Sequence, residues 1–173
     1  MKAARVFLRP IELDDVERLH RWHNDPGLYD HLGSSYWPVS RAAVEDWVRQ
    51  KQTLSRQEVN LAICATDSAE HLGNIYLRNL DWVTRHGELH LFIGEAGQRS
   101  QGYGQAAVRL LVEHAFGRLG LQRLYLFVLE ENRAAVHVYE KCGFRVEGRL
   151  RRHAFKRGAF RDVLVMGLCA DDR

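Results

Sequence analysis

Several things are scarce in this chain, and each scarcity excludes something. Cysteine occurs only as Cys64, Cys142 and Cys169, an odd number without CxxC or metal-type spacing, which excludes a disulfide framework and a structural zinc site. Unpaired thiols fit a reducing compartment, so a cytoplasmic location is expected. Proline stands only at positions 10, 26 and 38, so punctuation of that kind is confined to the first quarter of the chain. No run approaches the roughly 18 apolar residues of a membrane span, and Met1–Pro10 (MKAARVFLRP) lacks the apolar stretch of a secretory leader. A strong charge bias is missing too. With 25 Lys and Arg against 22 Asp and Glu, the net charge of +3 gives nucleic-acid binding no compositional support.

What is present reads as one folded domain over residues 1–173, with 46% apolar and 27% charged residues, enough to build a core. Val6–Arg9 has strand character. Asp14 or Asp15 is placed to cap a helix running through Trp22, and Asn24-Asp25-Pro26-Gly27 supplies turn chemistry. In Ser40–Gln52, Ala43, Val44, Trp47 and Val48 recur at helical spacing behind a Ser40 cap. Three strand-like runs follow, Val59–Ala65, Asn74–Leu80 and Glu88–Gly94, most simply an antiparallel meander. A helix opens at Gly102 and Gly104, runs through Leu119 and ends at Gly120. Strand Leu124–Leu129 and helix Asn132–Cys142, closed by Gly143, come next. Two final strands, Phe144–His153 and Phe160–Leu168, join around Arg157-Gly158.

The turn Arg99-Ser100-Gln101-Gly102-Tyr103-Gly104 lies between a strand and a helix start. Glycines let the backbone approach a ligand, and a helix N-terminus offers unpaired N–H groups to an anion, so a diphosphate is the natural guest. Taken alone, the turn reads first as an ordinary glycine-capped helix. It also fits the dinucleotide pattern, Gly102-x-Gly104-x-x-Ala107 with Glu130 or Glu131 downstream. That rival is weakened by the long connection before Gly102 and by the short chain after Glu131.

Arg99-x-x-Gly102-x-Gly104 resembles the Q/R-x-x-G-x-G/A signature of the GNAT superfamily of N-acetyltransferases. Asn132-Arg-Ala-Ala135-Val-His-Val-Tyr139-Glu-Lys141-Cys-Gly143-Phe144 is similar to that family's downstream helix. Within the superfamily the RimJ/RimL-like and spermidine acetyltransferase branch is the nearest match, through Trp22-His23-Asn24-Asp25-Pro26, the Glu88 strand, and Tyr139 to Gly148. The resemblance implies an α/β fold: a mixed, mostly antiparallel, splayed sheet of about seven strands with helices on both faces, opened to seat acetyl-CoA. It implies that the backbone of Arg99, Ser100, Gln101, Gly102, Tyr103, Gly104 and Gln105 cradles the pyrophosphate. Phe92, Ile93 and Gly94 would pair the pantetheine arm, with Asn132 nearby. Ser100 departs from the glycine common in that branch, and its side chain must point away from the phosphates.

Acetyl transfer needs a neutral amine, and an amine of pKa about 10.4 is only about one part in a few thousand neutral at pH 7. Glu88 is the expected base, with His90 on the same strand face in reserve. A simple ion pair of Glu88 with Arg78 or Arg85 is the competing account. Tyr139 is the expected acid, returning a proton to the departing CoA thiolate as the resemblance implies. Without the resemblance it reads as a core tyrosine. Attack is expected to be direct, since Cys142 at a helix end lacks an assigned base.

The resemblance implies a primary-amine acceptor, a protein N-terminal α-amine or a small polyamine, with amino sugars and amine antibiotics left open. A polyamine slot should be lined by carboxylates, for which Glu12, Asp14, Asp15, Asp25 and Asp30 are available. Trp22, Tyr29, Tyr36, Trp37 and Trp47 could wall the slot or fill the core. His20, His23 and His31 lack metal-type partners, so no metal is expected. The basic run Arg149, Arg151, Arg152, Lys156, Arg157 and Arg161 reads as a solvated face, with the CoA 3′-phosphate, an acidic partner or RNA as alternatives. A non-catalytic acyl-CoA-binding or RNA-associated module is the alternative function, and a homodimer is compatible with the branch.

Overall fold

The computed structural model describes residues 5–53 and 55–172. The start of Met1–Pro10 and the last residue of the 1–173 span therefore lie outside the described residues. Strand β1 (Val6–Pro10) leads through a tight turn at Leu13–Asp15 into α1 (Val16–His23). Asp25 then accepts the Gly27 N–H and Pro26 takes the first helical position, so the expected turn winds into a one-turn helix, α2 (Pro26–Tyr29). Ser40 Oγ accepts the Ala43 N–H and starts α3 (Arg41–Lys51). The meander is β2 (Val59–Ala65), β3 (His71–Asp81) and β4 (His86–Ile93). β3 begins earlier than the sequence suggests because Gly73 is part of it: a Cβ there would lie 2.1 Å from the Phe92 carbonyl oxygen, so the strands close only over glycine.

Helix α4 (Tyr103–Gly117) ends short of Leu119, because the N–H groups of Arg118 and Leu119 both return to the His114 carbonyl and Gly120 then turns left-handed at φ +67°. β5 (Arg123–Leu129), α5 (Arg133–Lys141), β6 (Arg145–Lys156) and β7 (Ala159–Cys169) complete the order. The seven strands form one sheet in the order β1-β2-β3-β4-β5-β7-β6. Every pairing is antiparallel except β4 with β5, which α4 joins by a crossover. That sheet leaves no repeating strand–helix unit for a dinucleotide. Glu130 and Glu131 are held instead by Arg149 and Arg161.

Strand alternation divides the core. Ile63, Ile75, Leu77 and Leu89 face α4 and α5, packing on Leu111, Ala115, Val136 and Met166. Ala62, Cys64 and Tyr76 face the other way, against Leu19, Trp22, Val44 and Val48 of α1 and α3. Helices thus cover both faces. The cysteines are free thiols, and among the described residues no helix is long and apolar enough to cross a membrane.

Candidate active site

The site begins where the one parallel pairing fails. β4 and β5 match only over His86–Glu88 and Arg123–Tyr125, and beyond Glu88 the strands diverge. The Gly94 N–H donates to Leu72 O on β3 (2.9 Å), so by alternation the even residues of β4 turn their backbone to β3 and the odd residues turn theirs to β5. Leu91 and Ile93 therefore face the gap. This revises the expected trio: Phe92 and Gly94 are bonded toward β3, Ile93 stays, and Leu91 joins it. Phe92 instead packs its ring edge-on against Trp22. A Cβ on Gly94 would lie 2.1 Å from the Trp22 indole, so glycine there permits a ring contact.

From Ser100 to Gln105 no backbone N–H finds an acceptor among the described residues. Ser100 (φ 61°) and Gly102 (φ 86°) are both left-handed, turning successive N–H groups inward as an anion nest that runs into the N-terminus of α4. No acidic side chain sits in that first turn to occupy it. Ser100 thus holds a backbone shape that glycine adopts more easily. Arg99 lies outside the nest: its N–H bonds Ala96 O, and its guanidinium holds the carbonyls of Ile93 (3.1 Å) and Gly94 (3.1 Å). It fastens the turn to the end of β4. Gln101 does similar work through Gly97 O.

Glu88 is 8% exposed. Its Oε2 accepts from Asn79 (2.7 Å), and its Oε1 stands 2.9 Å from His90 Nε2, close enough for ion pairing but off the line of an N–H bond. Contact with His90 holds the carboxyl below the usual range against the opposing effect of burial. The two alternative bases thus form one pair. Arg78 lies directly across on β3 yet makes no close ion pair with Glu88. Arg85 donates to Gly120 O.

Tyr139 is 6% exposed and burial pushes its phenol up. None of the described residues hydrogen-bonds its hydroxyl, and it lines the same cavity of about 610 Å³ as Glu88 and His90. Asn132 also reaches the cavity, but its amide is engaged: Oδ1 caps α5 at Ala135 N–H (3.2 Å) and Nδ2 donates to His31 O (3.0 Å). It ties α5 to the loop over the cavity. Cys142 gives a long contact to Gln105 O, and burial pushes its thiol up, away from nucleophilic duty.

The end of the cavity beside α2 and α3 is walled by Tyr29, Trp47 and Tyr76. Trp37 is instead 74% exposed. None of the five carboxylates proposed for a polyamine slot lines it. Asp15 binds Arg9 through both oxygens (2.7 Å each) and neighbours His71; Asp30 pairs with Arg157; Asp25 caps α2; Glu12 accepts from Gln52; Asp14 stays in the turn before α1. The basic hairpin is not a bare solvated face. Arg149 forms ion pairs with Glu130 and Asp162, Arg161 lies at ion-pair distance from Glu131, and Lys156, 7% exposed, donates to Tyr29 O (2.8 Å) and Ser34 O. Sequence reading had no signal for Lys156, because its partners are carbonyls more than a hundred positions away. No group of three metal-type side chains gathers among the described residues.

The GNAT acetyltransferase domain model matches residues 5–145. A spermidine N(1)-acetyltransferase of Escherichia coli K12 is 30% identical over 166 residues, covering 95% of this chain and 86% of its own. One of Vibrio cholerae is 27% identical, covering 94% and 92%. The crystal structure of spermidine N-acetyltransferase from Vibrio cholerae with CoA and spermine superposes with a TM-score of 0.88 over 96% of both chains at 23% identity, and that enzyme has also been solved as a dodecamer. A splayed sheet, an N–H nest at its opening and a family-model match over residues 5–145 have one account: the chain belongs to the GNAT acetyltransferase family and is an acetyl-CoA-dependent N-acetyltransferase.

Proposed function

We propose that this enzyme, a single domain over residues 1–173, transfers acetyl directly to the primary amine of an acceptor held in the 610 Å³ cavity. The observation that carries the reading is that Glu88, from β4, and Tyr139, from α5 beyond the gap, line one cavity. Acetyl-CoA supplies the activated thioester. The nest at Ser100–Gln105 receives its diphosphate, and Leu91 and Ile93 present the strand edge to its arm. Glu88 attracts the acceptor ammonium, and the Glu88–His90 pair relays its proton away as the amine forms its bond to the carbonyl carbon. The C–S bond breaks, and Tyr139 O–H returns a proton to the sulfur.

Two acceptor classes have support. The relatives' names favour a polyamine. The cavity favours an amine with few positive charges, because among the described residues Glu88 is its only carboxylate, beside Arg78 and four histidines. Three free thiols support a cytoplasmic home, and association into a homodimer is part of the proposal. The test is acetylation of an amine panel by wild type, Glu88→Gln and Tyr139→Phe. Loss of turnover in both variants with acetyl-CoA binding retained is expected; unchanged turnover in either removes that residue from the mechanism.

A further inference from the structure

Arg78 makes no close ion pair among the described residues, although its charge acts across the strands on Glu88. Among the described residues no carboxylate oxygen lies within 4.0 Å of its guanidinium, whereas Arg9 and Arg123 each hold one and Arg149 holds two. Its carbon sits 4.8 Å from the centroid of the Tyr76 ring, and its Nε is closed off from water without a hydrogen-bond partner. Arg78 also borders a shallower pocket beside Glu58, but that carboxylate is taken by Lys51.

The platform beneath it is fixed by a buried chain of hydrogen bonds. His71 Nε2 faces Gly73 O (3.0 Å), so that nitrogen carries a proton, and the Asn74 atom 2.7 Å away is the acceptor Oδ1. The Asn74 amide nitrogen must then donate to the Tyr76 hydroxyl (2.6 Å). Tyr76 accepts that bond, so its own proton is left to donate. The cavity is thus lined by a guanidinium stacked on a tyrosine whose phenolic proton is free to donate, beside a carboxylate on the neighbouring strand, since Arg78 and Glu88 are cross-strand partners.

Resting on the acetyl-transfer reading, we infer that the acceptor carries an anionic group beside its primary amine, and that Arg78 on the Tyr76 ring is the subsite for that group. The ammonium goes to Glu88 and the anion to Arg78. A carboxylate a few bonds from the amine is the matching chemistry, as in a free α-amino acid or a peptide whose first residue is acidic. A linear polyamine would set a second ammonium against Arg78.

The experiment measures kcat/KM in wild type and Arg78→Gln for matched acceptors: phenylalanine against phenylalaninamide, Asp-Phe-amide against Asn-Phe-amide, and spermidine. Taking the variant-to-wild-type ratio for each acceptor cancels differences in amine basicity. The loss in Arg78→Gln is expected to be about 10–100-fold larger for the anionic member of one pair, with partial recovery in Arg78→Lys. The pair that responds identifies the source, free amino acid or peptide. Tyr76→Phe keeps the ring and removes the proton, and should lower the same preference, which keeps the test open if Arg78→Gln does not fold. Equal losses within both pairs, or spermidine surpassing every anionic acceptor, overturns the inference and leaves acetyl transfer standing. Acetyl-CoA binding without turnover of any amine overturns the acetyl-transfer reading itself.

Discussion

The Phe144 N–H donates to the Tyr139 carbonyl (3.0 Å), and the two rings meet edge to face with centroids 5.9 Å apart. One backbone bond and one ring contact thus close α5 on the residue proposed as acid. The closure needs Gly143, left-handed at φ +95°, whose N–H bonds Glu140 O. The Tyr-x-x-x-Gly-Phe spacing is therefore a device for holding a phenol at the cavity wall.

Gly143→Ala should disturb that device. A Cβ would meet Leu168 at 3.2 Å in a conformation that costs an L-residue about 1–2 kcal/mol. Urea unfolding should show a loss of that size, and kcat should fall more than the KM for acetyl-CoA rises. Normal kcat at reduced stability would disconnect the cap from the acid.

Tyr139→Phe separates chemistry from packing. The hydroxyl bonds none of the described residues, so stability should change by less than about 0.5 kcal/mol while kcat falls about 10²–10³-fold. Burial raises this phenol above its ordinary value, so it stays protonated through neutral pH and no alkaline loss below about pH 10 should come from it. A kcat that declines in step with tyrosine ionisation near pH 9 would contradict the buried setting.

The fold was legible where local signals decide it. Ser40 and Asn132 cap the helices expected of them, and Val59–Ala65 runs between its expected limits. Gly120 and Gly143 end helices because φ is positive there. Long-range partners were not legible. Which β4 residues face the gap depends on the register with β3, a one-residue matter that apolar sequence such as Leu89–Ile93 does not encode. The fate of Asp15, Asp30 and Lys156 depends on Arg9, Arg157 and the residue 29–34 loop reaching them through space. Glu88 and His90 could be named, but their contact could not.

Acetyl-CoA at about 100 times its dissociation constant should add about 2.7 kcal/mol, a rise of several degrees in Tm, whereas NADH should add nothing. In Gly102→Ala, φ 86° is forced on an alanine, and the shift should shrink because the nest loses its shape. An undiminished shift in that variant would place the diphosphate elsewhere.

The Arg9–Asp15 pair should make the stability of the fold sensitive to acid. Arg9 bonding holds the Asp15 carboxyl well below the ordinary carboxylate range, against the cost of burial. A group whose folded value is depressed gives stability that is complete above its unfolded value, about 3.9, and is lost as pH falls toward the folded one. Asp15→Asn should therefore cost about 3 kcal/mol at pH 7 and less as the pH drops below 4. A cost independent of pH would mean that the charge of Asp15 is not what stabilises the fold.

Lys156 and Arg157 sit side by side at the hairpin tip and hold the same loop differently. Arg157 reaches Asp30 at the surface, whereas Lys156 is buried and gives its protons to two carbonyls, Tyr29 and Ser34. Solvent screens the first contact, and removing it should leave stability and kinetics unchanged within error. Removing the second strands two buried acceptors, which costs about 1–3 kcal/mol each when no water replaces the donor. Lys156→Met keeps the length of the stem and deletes the charge, so its effect should concentrate in residues 29–34, of which Tyr29, His31, Leu32, Gly33 and Ser34 line the cavity. Faster amide exchange there, a KM for the acceptor raised about fivefold and an unchanged KM for acetyl-CoA are expected. If Arg157→Gln matches Lys156→Met in all three, the surface pair carries the loop and burial of the ammonium adds nothing.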